Sequence, residues 1–148
     1  MKNASPFLIL LFLFGMMSCQ QNNQDIIFHK SHEPKKAQAP FSDVVEANGF
    51  LFLAGQVGMN HSTRTLVEGG IEAETKQCIE NIKAVLSEHG SSLDRVVKCT
   101  VILKDINDFA AFNKVYKTYF PNKPARTTFA ASGLAVNANI EIDVIAVK

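Results

Sequence analysis

Two side chains near the end of the chain, a guanidinium and a carboxylate each at the mouth of a β element, are the parts of a small-anion site. Arg126 lies in Pro124-Ala125-Arg126-Thr127-Thr128, and Glu141 in Ile140-Glu141-Ile142-Asp143-Val144. A guanidinium offers paired donors in a planar fork that match a carboxylate bidentately, so it both binds and orients one. A partly buried carboxylate with a raised pKa can deprotonate a water within hydrogen-bond reach. Each residue also has a plain structural explanation. Arg126 could sit in a weak surface ion pair, with Glu141 as its partner, and Glu141 could belong to a carboxylate ring inside an oligomer.

The remaining chemistry-bearing residues are less organised. His29 and His32 are three apart in an extended region without a Cys or carboxylate cluster, so no metal site is expected. His61 and His89 read as loop and helix-end residues. Cys78 and Cys99 fall on the core side of a helix and a strand; two buried thiols are expected, with a disulfide between them the alternative in an oxidising compartment. No Ser-His-Asp set, Gly-rich phosphate loop or zinc spacing is present in the sequence. A formal net charge of +1 without a basic run argues against a general nucleic-acid binder.

The elements that must position Arg126 and Glu141 follow from periodicity. Ile140, Ile142, Val144 and Ala146 alternate with Glu141 and Asp143, the pattern of a half-buried strand. Arg126 opens a second strand just after Pro124. Upstream, Ile71 to His89 reads as a helix whose apolar side carries Ile71, Thr75, Cys78, Ile79, Ile82, Val85 and Leu86. Glu72, Glu74, Lys76, Glu80 and Lys83 lie opposite, and Gly90 follows as a C-cap. Asp105 is expected to cap a second helix striped by Phe109, Phe112, Tyr116 and Tyr119 or Phe120 and ended by Pro121. Asp25–His29, Ser42–Glu46, Gly49–Ala54 and Val96–Leu103 read as strands, and Asn48-Gly49 as a hairpin turn. Residues 55–70 read as loop. The order βββαβαββ predicts an α+β domain over residues 25–148, a mixed sheet with both helices on one face. The other face, semi-polar and uncovered, is suited to oligomer packing.

The first residues are different in kind. Lys2, the apolar run Phe7–Phe14 and the small residues before Cys19 make residues 1–18 a signal peptide of lipoprotein type. Cys19 is the expected lipidation site, and residues 19–24 a short polar tether, the alternative being a plainly secreted or uncleaved leader. Gln20 favours the outer membrane of a bacterium, on the periplasmic side. Acyl chains, at about 0.8 kcal/mol per buried CH₂, would hold the domain on its membrane.

Pro-Ala-Arg-Thr-Thr at 124–128, together with Ile-Glu-Ile-Asp-Val-Ile-Ala-Val at 140–147, resembles the signature of the reactive intermediate deaminase A family, the YjgF group of enamine/imine deaminases. Gly55-Gln56-Val57, Asn81-Ile82-Lys83-Ala84-Val85-Leu86 and Asp105-Ile106-Asn107-Asp108-Phe109 extend the likeness, in register, over roughly residues 24 to 148. The resemblance implies a chorismate-mutase-like fold and a homotrimer with its sites in the clefts between subunits. It also implies hydrolysis of small 2-imino acids or their enamines, such as 2-aminoacrylate, to 2-keto acids and ammonia, with no cofactor. Arg126 would anchor the substrate carboxylate and Glu141 would activate water. Gly55 would face the ligand with its N–H, Asn113 stands at the family's pocket Asn, and Thr128, where many members have Cys, would act through its backbone carbonyl.

Two departures weaken the analogy. Phe41 stands where the family has Tyr, and Ala54 where it often has Ser, so two hydroxyls are missing, each hydrogen bond being worth about 0.5–1.5 kcal/mol. A ligand-binding or chaperone-like trimer without turnover is the competing expectation. An extracytoplasmic member would also be separated from 2-aminoacrylate, which arises from normally cytoplasmic pyridoxal-phosphate enzymes.

Overall fold

In the computed structural model, residues 25–148 are described except positions 32 and 37. The expected signal peptide, Cys19, the tether and His32 lie outside the described residues. After β1 (Ile27–His29), strands β2 (Val44–Ala47) and β3 (Phe50–Leu53) form the expected hairpin. Asn48 and Gly49 both take positive φ, 50° and 78°, which is what a two-residue turn between right-twisted strands requires.

Residues 55–70 depart from the expected loop. They contain β4 (Gln56–Val57), β5 (Met59–Asn60) and β6 (Thr65–Leu66), each only 2 residues long and so too short for a period-2 signal. Side chains stitch them in place. Asn60 Oδ1 accepts from the backbone N–H of Ser62 at 2.9 Å, turning the β5–β6 hairpin.

Helix α1 (Gly70–Glu88) buries Cys78, Ile79, Ile82, Val85 and Leu86 as expected. Gly90, at φ 74°, donates to Ser87 O at its C-terminal end. Glu74, expected on the polar side, is instead 3% exposed. Its Oε2 accepts from Asn139 N at 2.8 Å and its Oε1 from Asn139 Nδ2, so it ties the helix to the segment leading into the last strand. A buried carboxylate is tolerable here because it is hydrogen-bonded. Asn81, also buried, donates to Val57 O at 3.0 Å and Met59 O at 2.9 Å. Asn81→Ala is expected to strand both carbonyls and lower stability by about 1–3 kcal/mol, measured as a fall in the urea midpoint without a change in m.

Strand β7 (Val96–Leu103) is followed by a 3₁₀ turn, Ile106–Asp108, and then by α2 (Phe109–Tyr119). Asp105 caps that turn rather than α2 itself, accepting from Asn107 N at 2.9 Å. Phe112, Tyr116 and Phe120 form the buried stripe, ring against ring. Strands β8 (Ala125–Ala130) and β9 (Ile140–Val147) complete the chain.

The main sheet runs β1-β2-β3-β9-β7-β8, with β4 pairing to β9 beyond the end of β3. Every pairing in it is antiparallel except β7–β8, which is parallel because α2 carries the chain back across the sheet. This is the mixed α+β sheet, backed by two helices, that the sequence predicts. Register then decides which side chain faces which side. Cys99, opposite Val144 and Arg126, and Val101, opposite Ile142 and Thr128, face the helices. Thr100, opposite Asp143 and Thr127, and Ile102, opposite Glu141 and Phe129, face away. That outer face also exposes Phe50 and Phe52.

Candidate active site

Arg126 stands on the edge strand β8 and lies over α2. Its Nη1 donates to Asn113 Oδ1 at 2.8 Å. Its Cζ is 4.6 Å from the Tyr116 ring centroid, 5.0 Å from Phe112 and 5.6 Å from Phe109. The aromatic stripe that secures α2 thus also cradles the guanidinium, a cation–π contact of ~0.5–2 kcal/mol in all. The side chain is held in one orientation at a cleft of about 390 Å³, lined also by Lys117 and Lys123. Beneath it, Tyr116 O–H donates to Cys99 Sγ at 3.2 Å, and burial pushes the pKa of both groups upward.

Glu141 stands on β9 opposite Val57. Gly55 occupies the break between β3 and β4, and a Cβ there would overlap Glu141 Oε1 and lie 2.9 Å from its Cδ. The carboxylate therefore rests directly on the Gly55 backbone. Burial first, and then the neighbouring Asp143, hold the Glu141 pKa above the usual carboxylate range. It faces a cavity of about 230 Å³, with Phe41 and Gly55 in its wall. Gly55→Ala is expected to displace the carboxylate, at ~1–3 kcal/mol of overpacking, seen as a lower Tm.

The predicted site residues thus fall into two groups. Phe41, Gly55 and Glu141 share one cavity, while Arg126 and Asn113 share another. An ion pair between Arg126 and Glu141 within one chain is ruled out by the register, which sends them to opposite faces of the sheet. Thr128 faces the helices like Arg126, and its Oγ1 is buried without a hydrogen-bond partner among the described residues. Cys78 and Cys99 are both free and buried. Among the described residues, no group of three or more His, Cys, Asp or Glu is placed to hold a metal ion.

The family model described as Endoribonuclease L-PSP matches residues 30–148. The chain belongs to that family. A RutC family protein of Pyrococcus abyssi is 44% identical over 126 residues, covering 84% of this chain and 98% of the relative. A mouse protein named 2-iminobutanoate/2-iminopropanoate deaminase is 39% identical over 113 residues, covering 76% of this chain and 84% of the relative. A solved Rid family protein from Yersinia pestis matches at a TM-score of 0.78 and 36% identity, covering 84% of this chain and 100% of that one. The mixed sheet with two helices is the fold of solved members of this family.

Three residues of the Glu141 cavity escape sequence reasoning: Lys36, His61 and Arg64. They lie in segments without periodicity, and only the β5–β6 hairpin brings His61 and Arg64 back beside β9.

Proposed function

We propose that this protein hydrolyses small 2-imino acids, or their enamines, to 2-keto acids and ammonia. The observation that carries this reading is the environment of Glu141. A carboxylate laid over a glycine backbone, raised in pKa and facing a small cavity, is equipped to take a proton from water. The water oxygen adds to the C=N carbon as Glu141 takes the proton. Return of that proton to nitrogen gives a carbinolamine; Glu141 then carries the hydroxyl proton to nitrogen as the C=O bond forms and the C–N bond breaks, releasing ammonia. Arg126, preorganised by Asn113 and three rings, supplies the bidentate anchor for the substrate carboxylate.

Because these two groups lie on opposite faces of one sheet, a complete site takes Arg126 from one copy and Glu141 from another. We therefore assign sites between subunits, in the homotrimer that the family resemblance implies. The open face carrying Phe50, Phe52 and Phe129, together with the edge strand β8, supports this packing. Light scattering on the purified domain tests it, and a monomer would remove the shared site. Cavities of 230 and 390 Å³ and a net charge of +1 fit a small acid better than the nucleic acid of the family's name.

The test couples an amino-acid oxidase to the purified domain and follows loss of the imino acid by semicarbazide trapping. Faster loss than the uncatalysed rate is expected, and no acceleration would defeat the hydrolase reading. Phe41, 55% exposed and without a hydroxyl to offer a ligand, favours the second reading, a trimer that binds its ligand without turnover. Binding of a 2-keto acid with no acceleration would select it. We also assign Cys19 as the lipidation site of an extracytoplasmic lipoprotein. Mass spectrometry of membrane fractions finding an unmodified N-terminus with residues 1–18 still attached would reject that.

A further inference from the structure

The cavity that holds Glu141 carries positive charge that Arg126 and Glu141 chemistry leaves unused. Lys36, His61 and Arg64 all line it. Two of them have acids of their own. Lys36 Nζ lies 3.6 Å from Asp43 Oδ1 and donates to Gln56 Oε1 at 3.3 Å, and His61 Nδ1 lies 3.3 Å from Glu33 Oε1. Arg64 is different: its Nη1 is buried with no hydrogen-bond partner among the described residues. A buried guanidinium N–H left unpaired costs free energy unless something else accepts from it.

The three groups also act on one another, and the lasting positive charge is that of Lys36 and Arg64. Burial first, then the charge on Lys36, hold the His61 pKa below its usual range, and Arg64 adds to the effect. Glu141 faces the same cavity, but among the described residues no hydrogen bond or ion pair joins it to Arg64. An anion brought in by a ligand would relieve this excess.

The backbone around the cavity is strained in the way of a ligand clamp. Arg64 sits at φ 63°, a left-handed conformation that favours glycine or asparagine, and its N–H is tied to Asn60 O at 2.8 Å. Val136, on the same cavity wall, is at φ 52°, where a β-branched side chain is a marked outlier. Two such residues facing one cavity point to a site over-determined by its surroundings.

We propose that Arg64 is a specificity-determining residue that receives a second carboxylate, so that the preferred ligands of this site are 2-imino and 2-keto acids with an acidic side chain. As a statement about turnover this rests on the hydrolase reading above; as a statement about binding it does not. The reaction keeps the same balance: water adds, the C–N bond breaks, ammonia leaves, and nothing is oxidised or reduced. The 2-keto dicarboxylate produced keeps both of its carboxylates.

The experiment is calorimetric titration of the assembled protein with 2-oxoglutarate and with 2-oxopentanoate, which match in carbon count and differ in the distal carboxylate. The wild type is expected to bind the diacid about tenfold or more tightly, the range of one charge-assisted hydrogen-bonded contact. Arg64→Gly and Arg64→Asn, both suited to the left-handed backbone at 64, are expected to bring the ratio of the two Kd values to about one. Equal affinities in the wild type, or a diacid preference that survives both substitutions, would overturn the proposal. Absence of imine turnover would remove the hydrolase reading and leave this ratio as the deciding measurement.

Discussion

Arg126→Ala is expected to lower kcat/KM for imino-acid hydrolysis about 100-fold, the loss of a bidentate, charge-assisted anchor for the substrate carboxylate. Arg126→Lys is expected to recover only a small part of it. An ammonium offers no planar fork, and it cannot stack on Tyr116 and Phe112, whose ring centroids lie 4.6 and 5.0 Å from the guanidinium carbon. Truncation also removes packing over α2, so thermal denaturation of the same variants separates stability from anchoring. The cation–π contact accounts for ~0.5–2 kcal/mol of stability at most, too little to unfold the domain. Undiminished kcat/KM in Arg126→Ala would show that the substrate carboxylate is held elsewhere.

Glu141→Gln is expected to lower kcat by about 10²–10⁴, the range for loss of a positioned general base. The pH profile carries a second signature. Water activation needs the ionised carboxylate, and Glu141 titrates above its ordinary value of 4.5 because burial and Asp143 disfavour the charge. The acidic limb of kcat/KM is therefore expected above the usual carboxylate range, with activity falling as pH drops through it, and to vanish in Glu141→Gln.

Stability moves the other way. A pKa raised on folding means the folded chain holds the proton more tightly than the unfolded one. The contribution of Glu141, like that of Asp143, is fully present below the ordinary carboxylate pKa and is lost as pH rises through the raised folded value. At neutral pH, Glu141→Gln removes a half-buried charge, so its Tm is expected to rise while its rate collapses. A variant that loses rate by unfolding would lose Tm as well, and the pair of measurements tells the two apart.

The period-2 run Ile140–Val147, the amphipathic stretch that became α1 and the Asn48-Gly49 turn were each legible because their signals are local. Side chains alternate, recur or bend the chain within a few residues. The same locality let Arg126 and Glu141 be singled out by their residue types and by the motifs around them. It could not say that they face opposite sides of one sheet. That followed from Cys99 pairing with both Val144 and Arg126, a register set by packing between distant strands. Nor could it place Glu74 indoors, because the helical pattern assigns it to the polar side, while Asn139, 65 residues away, and the close-packed Gly58 account for its burial. Arg64 lay deeper still. Its sequence neighbours mark a turn, and only the short β5–β6 hairpin, tied down by the hydrogen bonds of Asn60 and Asn81, carries its guanidinium to the cavity of Glu141. Short-range spacing thus determined the elements, and the family motifs carried on them named the candidate chemistry. Strand register and long-range hydrogen bonds, whose partners are far apart along the chain, decided which of those groups share a cavity.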